Sequence, residues 1–213
     1  MAREHYIAEL ERTRTDFLQM GQVAQDAIQA ALRALSDSDR TAAGRAHVLE
    51  AETDNLYRTI FESCLRLVTL QAPVAGDARL ITGMLGAIVD LELIGDYADD
   101  VAEIASEMTK KPASGVVSEF VSVGGKVLEM LSSAIERWRT LDRSEDLAFR
   151  PMQSHIKRAC QDLLAKLTQL STGSPDQPLL AGLILVCKYL ERIASHSVSI
   201  AEQAAFAAGS AIG

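Results

Sequence analysis

The chain has 213 residues, a formal net charge of −8 at pH 7 and a pI near 5.0. This acidity argues against broad nucleic-acid binding, because the chain has no basic stripe to release counterions from phosphates. Apolar residues make up 48% of the chain and aromatic residues only 5%, a composition that favours packed helices over β-sheets. We therefore expect its partners to be cations or basic protein surfaces, if it has any.

The first half of the chain predicts three long helices over roughly residues 4–110, because apolar residues recur there at intervals of three and four. The predicted breaks are an N-cap cluster at residues 36–39, the segment 71–73 and the segment 111–115. The second half repeats this plan, with a connection from Thr140 to Pro151 and a break at residues 171–175. The sequence therefore predicts an all-α fold.

The two halves also end in similar sequences. Residues 89–103 (VDLELIGDYADDVAE) align with residues 188–202 (KYLERIASHSVSIAE), so that Glu92 falls on Glu191 and Glu103 on Glu202. A duplicated unit is the simplest explanation. We predict two tandem antiparallel three-helix bundles, one over residues 1–112 and the other over residues 113–213.

The sequence carries no targeting or membrane-spanning signal. No run of 18 uncharged apolar residues occurs, and the first 17 residues have no apolar stretch before charge resumes. We therefore expect a cytoplasmic protein without membrane insertion. Cys64, Cys160 and Cys187 lie far apart and lack metal-ligand spacing, so we predict that they are buried in the core.

An acidic stretch is the most informative feature of the chain. Between Arg79 and Lys110 there are seven carboxylates and no basic residue. Glu92, Asp96 and Asp100 stand four residues apart, so a helix places them on one ridge. Like charges at this spacing each cost a few tenths of a kcal/mol. Such a ridge either binds a cation or is a solvated face.

A second acidic pair, Glu50 and Asp54, lies on the preceding predicted helix. Asp54 is 19 residues before Pro73 and Glu92 is 19 residues after it, so two antiparallel helices would bring the carboxylates to the same height. Five carboxylates on facing helices form a candidate site for magnesium, manganese, calcium or iron. The residues alone leave the metal site and the solvated face both open.

Three segments resemble the PhoU family. Residues 70–81 (LQAPVAGDARLI) resemble its Q-x-P-x-x-x-D-L-R turn, residues 91–98 (LELIGDYA) its L-E-R-I-G-D-x-A motif, and residues 190–197 (LERIASHS) the second copy of that motif. The resemblance implies tandem three-helix bundles whose E/D-x-x-x-D motifs bind iron, zinc, magnesium or manganese. It also implies a negative regulator of phosphate uptake, placed between the phosphate ABC transporter and a phosphate-sensing histidine kinase.

The resemblance assigns candidate site residues in the first repeat. The implied metal ligands are Glu50, Asp54, Glu92, Asp96 and Asp100. Three further residues are candidates for a ligand or supporting role, namely Asp77, Arg79 and Glu103. For Asp77 we favour capping of the helix that follows it, and Arg79 could equally form an ordinary salt bridge.

The second repeat departs from the family pattern. Gln153 and Lys157 stand where acidic residues are expected, and on the last helix Glu191 is retained while Ser195 replaces an aspartate. Lys157 would repel a cation and pair with Glu191, so we predict that the second metal site is lost. His196 is either a ligand or simply hydrogen-bonded.

Three functions are compatible with these features. The preferred one is a non-enzymatic, metal-binding adaptor, expected as a homodimer, because the chain lacks a Walker lysine, a glycine-rich nucleotide loop and a nucleophile–base arrangement. The alternatives are a carboxylate-bridged metalloenzyme and a divergent helical scaffold without metal. For the enzyme, Tyr97 is the one nearby proton-transfer candidate, and helical periodicity places it off the ridge.

Overall fold

The computed structural model describes residues 2–70, 73, 75–108, 112–141, 148–171 and 177–209. Over these residues the chain forms six helices and no strand, which confirms the predicted all-α fold. The helices are α1 (Ala2–Asp37), α2 (Arg40–Leu70), α3 (Ala75–Glu107), α4 (Ser114–Thr140), α5 (Phe149–Ser171) and α6 (Gln177–Ala207).

The ends of the helices follow local chemistry. The Asp39 carboxylate accepts hydrogen bonds from the backbone N–H groups of Thr41 (2.8 Å) and Ala42 (3.2 Å), so the predicted cap before α2 is confirmed. Leu141 adopts a left-handed conformation (φ 50°) after α4, and its N–H bonds to the carbonyl of Arg137.

Two predicted breaks were misplaced. Pro151 lies in the first turn of α5 rather than in the connection before it. A proline is tolerated there because the first helical N–H groups have no intrahelical acceptor. Helix α3 ends at Glu107, three residues before the predicted end. Residues 71–72, 109–111 and 172–176, which carry parts of the predicted breaks, lie outside the described residues.

The six helices form two three-helix bundles packed side by side. Helices α1, α2 and α3 pack on one another, as do α4, α5 and α6, and the bundles meet where α3 contacts α6 and α1 contacts α4. The buried apolar side chains of both bundles form one continuous core. The predicted boundary at residues 112–113 falls between α3 and α4 and stays a prediction.

Trp138 on α4 joins the two bundles. Its fully buried ring lies 4.6 Å from the ring of Phe17 on α1, measured between centroids, and its Nε1 donates a 3.0 Å hydrogen bond to the carbonyl of Ile200 on α6. Gly83 on α3 makes room for the ring, because a Cβ there would lie 3.1 Å from it. One side chain therefore contacts helices of both bundles.

Two other predictions concerned the three cysteines and membrane-spanning segments. The three cysteines are buried free thiols, as predicted. Within the described part of the chain, none of the helices combines the length and the apolarity needed to span a bilayer.

Candidate metal centre

The close approach of α2 and α3 positions the acidic residues. A Cβ on Gly95 would lie 3.3 Å from Cγ2 of Thr53, so the backbone of α3 packs closely against the Thr53 side chain at this point. The Thr53 hydroxyl donates to the carbonyl of Leu49 (2.9 Å) and so needs no partner on α3. Asp54 and Asp96 are the next residues along each helix, and the contact brings them together.

A first group of carboxylates consists of Glu50, Asp54 and Asp96. One oxygen from each lies within 4.8 Å of the other two. The carboxylates of α2 and α3 thus face each other, although the equal distances to Pro73 paired Asp54 with Glu92 and the structure groups Asp54 with Asp96. Asp54 also accepts a 3.1 Å hydrogen bond from Arg58, one turn along α2, but this pair is largely exposed.

A second group shares Glu50 with the first and adds His47 and Asp99. Its three candidate ligand atoms again lie within 4.8 Å of one another, and His47 Nδ1 is 3.0 Å from Asp99 Oδ2. Neither residue was among the ligands predicted from the sequence. A signal was present, because His47 precedes Glu50 by three residues and Asp99 follows Asp96 by three, which is helical spacing.

The electrostatics of the cluster are those of crowded, partly buried carboxylates. Burial raises the pKa of Glu50, Glu92 and Asp96 above the ordinary values, and the charges of neighbouring carboxylates raise each pKa further. The hydrogen bond that His47 donates to the Asp99 carboxylate raises the pKa of this exposed histidine, with the charge of Asp99 adding to it. A bound cation would relieve this repulsion.

The remaining predicted ligands of the first repeat lie around this cluster. Glu92 is close enough for Asp96, Asp54 and Glu50 to raise its pKa, but it belongs to neither group. Asp100 is also outside both groups, and its carboxylate interacts with Tyr189 of α6, whose pKa is raised first by burial and then by that charge. Glu103 is exposed near His47.

Asp77 and Arg79 lie at the other end of α3. Asp77 stands in the first helical turn, where a carboxylate is favoured by the helix dipole, and its charge acts on Tyr6. The Arg79 guanidinium lies against Gly209, where a Cβ would be 3.4 Å from Nη2. At a rise of 1.5 Å per residue, Asp77 is about 28 Å from Asp96 along the helix. The structure therefore does not bring these two residues to the carboxylate cluster.

The second repeat forms a different site at the equivalent position. Gln153, Lys157, Glu191 and Ser195 line one pocket of about 290 Å³. Gln153 donates a 3.1 Å hydrogen bond to the hydroxyl of Ser195. The expected pairing of Lys157 with Glu191 was wrong, because Glu191 pairs with Lys188, one turn away on α6, at 2.9 Å.

His196 faces α3 instead of completing a ligand set with Glu191. Its Nδ1 lies 2.7 Å from an oxygen of Asp90, and the other oxygen of Asp90 accepts a 2.6 Å hydrogen bond from Ser199. Tyr97 also turns toward α6, where its ring stacks on Tyr189 with centroids 5.5 Å apart. These contacts tie the two bundles together.

Comparisons with known proteins agree with this architecture. The family model described as PhoU domain matches residues 17–105 and 120–204, one match in each bundle. The chain belongs to the PhoU family. It is 31% identical over 205 residues to the phosphate-specific transport system accessory protein PhoU homolog of Synechocystis, with 96% of this chain and 91% of that protein covered.

Other PhoU proteins are similar over nearly the same length. The accessory protein PhoU of Escherichia coli is 24% identical over 196 residues, covering 92% of this chain and 81% of that protein. The crystal structure of PhoU from Pseudomonas aeruginosa superposes with a TM-score of 0.88 at 27% identity, covering 95% of this chain and 98% of that one. The duplicated bundle is therefore the fold of the family.

Proposed function

We propose that this PhoU-family chain is a non-enzymatic accessory protein of a phosphate transport system and represses phosphate uptake. The observation that carries this proposal is the pair of family matches, which together span both bundles. Relatives over almost the whole chain are named accessory proteins of the phosphate-specific transport system, and these names do not denote enzymes. The enzyme alternative is therefore set aside.

We further propose the finer role expected from the sequence. In it, the chain acts in the cytoplasm as an adaptor between the phosphate ABC transporter and a sensor histidine kinase. Its helices supply surfaces for protein contacts, and the described residues include no nucleotide cradle that would point to a different role.

The acidic cluster between α2 and α3 is proposed to hold a metal ion. The residues fit a cation, because Glu50, Asp54 and Asp96 offer converging oxygen ligands, and a cation would offset the repulsion that contributes to the raised pKa of Glu50 and of Asp96. His47 and Asp99 extend the donor set with a nitrogen, which suits zinc, iron or manganese as well as the harder cations. A bound metal would supply positive charge that holds α2 and α3 together.

Complementation tests the regulatory role. If this role is correct, a bacterial strain without its own PhoU should take up phosphate even when phosphate is abundant. Expression of this chain should restore repression of uptake, measured with labelled phosphate at high external concentration. Failure to restore repression, despite normal expression and association with the transporter, would contradict the proposal.

Elemental analysis tests the metal site separately. The purified protein should retain about one or more equivalents of metal, lost on chelation and in an Asp54→Asn/Asp96→Asn variant. The Asp100→Asn variant is the matched control, since Asp100 lies outside both ligand groups. If the wild-type protein holds no metal even after incubation with manganese, zinc and iron, the alternative of a divergent helical scaffold without metal is correct.

A further inference from the structure

The outer face of α2 carries an exposed apolar stripe. Phe61, Leu65 and Val68 are 39%, 46% and 47% exposed, and with Tyr57 they follow one another at intervals of four, four and three residues. This spacing puts them on one side of the helix. The rings of Tyr57 and Phe61 stack with centroids 6.0 Å apart, which gives the stripe a fixed shape. No other helix covers it within the described part of the chain.

The stripe continues onto α3. Thr53 meets Gly95 where the two antiparallel helices approach closely, and the same register places Phe61 at the height of Ala87, between Leu85 and Val89. Val89 is 44% exposed. Of the eight large apolar side chains that are exposed among the described residues, four lie on this one face. We name it the α2–α3 patch, formed by Tyr57, Phe61, Leu65, Val68, Leu85 and Val89.

The α2–α3 patch runs directly into the acidic cluster. Tyr57 stands one turn beyond Asp54 on α2, and in the same register it lies within one residue of the height of Glu92. From Asp54 to Val68 the surface is about 21 Å long, at 1.5 Å per residue. Its apolar part faces the turn at Pro73, and its carboxylates lie at the opposite end. A clustered apolar surface of this kind marks an interaction site.

We propose that this surface binds one amphipathic helix of a partner protein, four to five turns long, with an apolar face and a cluster of lysines or arginines at one end. The apolar residues of the partner would cover the α2–α3 patch at helix-in-groove spacing, and its basic end would meet the carboxylates. The inference rests on the proposed function in one respect, namely that an adaptor must contact another protein. It does not require a metal.

Charge distinguishes a basic amphipathic helix from two other possible occupants of this surface, a second copy of the chain and a membrane. A second copy that presents the same face would bring its own acidic cluster against this one or against an apolar patch, and neither arrangement pairs the charges. An anionic membrane surface would be repelled by the carboxylates. A helix with an apolar face and a basic end complements both the α2–α3 patch and the carboxylates.

A defined peptide provides the test. The probe is a labelled 18-residue helical peptide with leucines at i, i+3, i+4 and i+7 spacing and four lysines at one end, and its binding is followed by fluorescence anisotropy in EDTA. We expect saturable binding that a Phe61→Ser/Leu65→Ser variant weakens at least tenfold. The matched control, Val121→Ser/Leu185→Ser, removes apolar residues of similar exposure on α4 and α6 and should change affinity less than twofold.

A second arm tests the charged end of the surface. The same peptide with glutamates in place of lysines should not bind, and Asp54→Asn/Asp96→Asn should weaken binding and flatten its salt dependence. The proposal would be overturned if the peptide bound Phe61→Ser/Leu65→Ser as tightly as wild type. It would also be overturned if Val121→Ser/Leu185→Ser lost as much affinity as Phe61→Ser/Leu65→Ser. A wild-type dimer that Phe61→Ser/Leu65→Ser converts to a monomer in light scattering would overturn it too. Because EDTA is present throughout, loss of metal in the elemental analysis leaves this result unaffected.

Discussion

Removing one carboxylate from the crowded cluster should change stability in opposite directions with and without metal. Asp96 lies within 4.8 Å of both Glu50 and Asp54. Two unit charges at that separation in water repel by about 0.9 kcal/mol, and screening at 0.15 M salt cuts this to about 0.5 kcal/mol for each pair. Asp96→Asn should therefore stabilise the metal-free protein by about 1 kcal/mol, or roughly 2–4 °C in Tm.

Bound metal should reverse which of the two proteins, wild type or Asp96→Asn, is the more stable. At a free concentration 100 times its Kd, a ligand that binds only the folded state stabilises it by about 2.7 kcal/mol. If loss of the Asp96 ligand weakens binding about 100-fold, the variant gains only about 0.4 kcal/mol at the same concentration. Wild type should then be the more stable protein in Mn²⁺ and the less stable one in EDTA.

Thermal unfolding of both proteins in EDTA and in Mn²⁺ measures this crossover. Asp162→Asn is the matched control, because it removes one exposed carboxylate from α5, away from the cluster, and should show no reversal. If Asp96→Asn lowers Tm in EDTA, or if both proteins gain equally from Mn²⁺, the assignment of Asp96 to a repulsive, cation-binding group is wrong.

Three further predictions follow from the same structure. Gly95→Leu should force α2 from α3 at Thr53 and destabilise the protein by about 1–3 kcal/mol in chemical denaturation, whereas Gly44→Leu, with open space around its Cβ, should cost much less. Trp138→Ala should cost about 3–5 kcal/mol, because it empties a fully buried site shared by both bundles; a loss below 1 kcal/mol would show that the bundles do not depend on this contact. In EDTA, the raised pKa values of the cluster mean that the folded state binds protons more tightly than the unfolded state, so the contribution of these carboxylates to stability should fall as pH rises from about 4 toward neutrality. Urea titrations across that range should show a smaller fall for Asp96→Asn than for wild type, and parallel curves would contradict the assignment.

The pairing of the acidic residues shows what local sequence can predict. Helical periodicity and rise are properties of short segments, so the stripes of apolar residues predicted six helices, and the distances from Pro73 predicted that the acidic pair on α2 would face the acidic ridge on α3. The helix cap at Asp39 was also predictable, because it involves only residues next to it in the sequence. The motifs of the two halves placed the chain in its family before any tertiary contact was known.

The tertiary structure decided which neighbours each helix face has. No local rule states that α3 packs against α6, yet that packing takes Asp100 to Tyr189, away from the carboxylates it was expected to join. It also takes His196 to Asp90, so that of its two expected roles the hydrogen-bonded one is seen. The contact of Thr53 with Gly95 set the rotation of α2 against α3, which brought His47 and Asp99 into the cluster. Periodicity fixes the angle of a side chain about its own helix axis, whereas the site depends on how two axes approach, and long-range packing determines that approach.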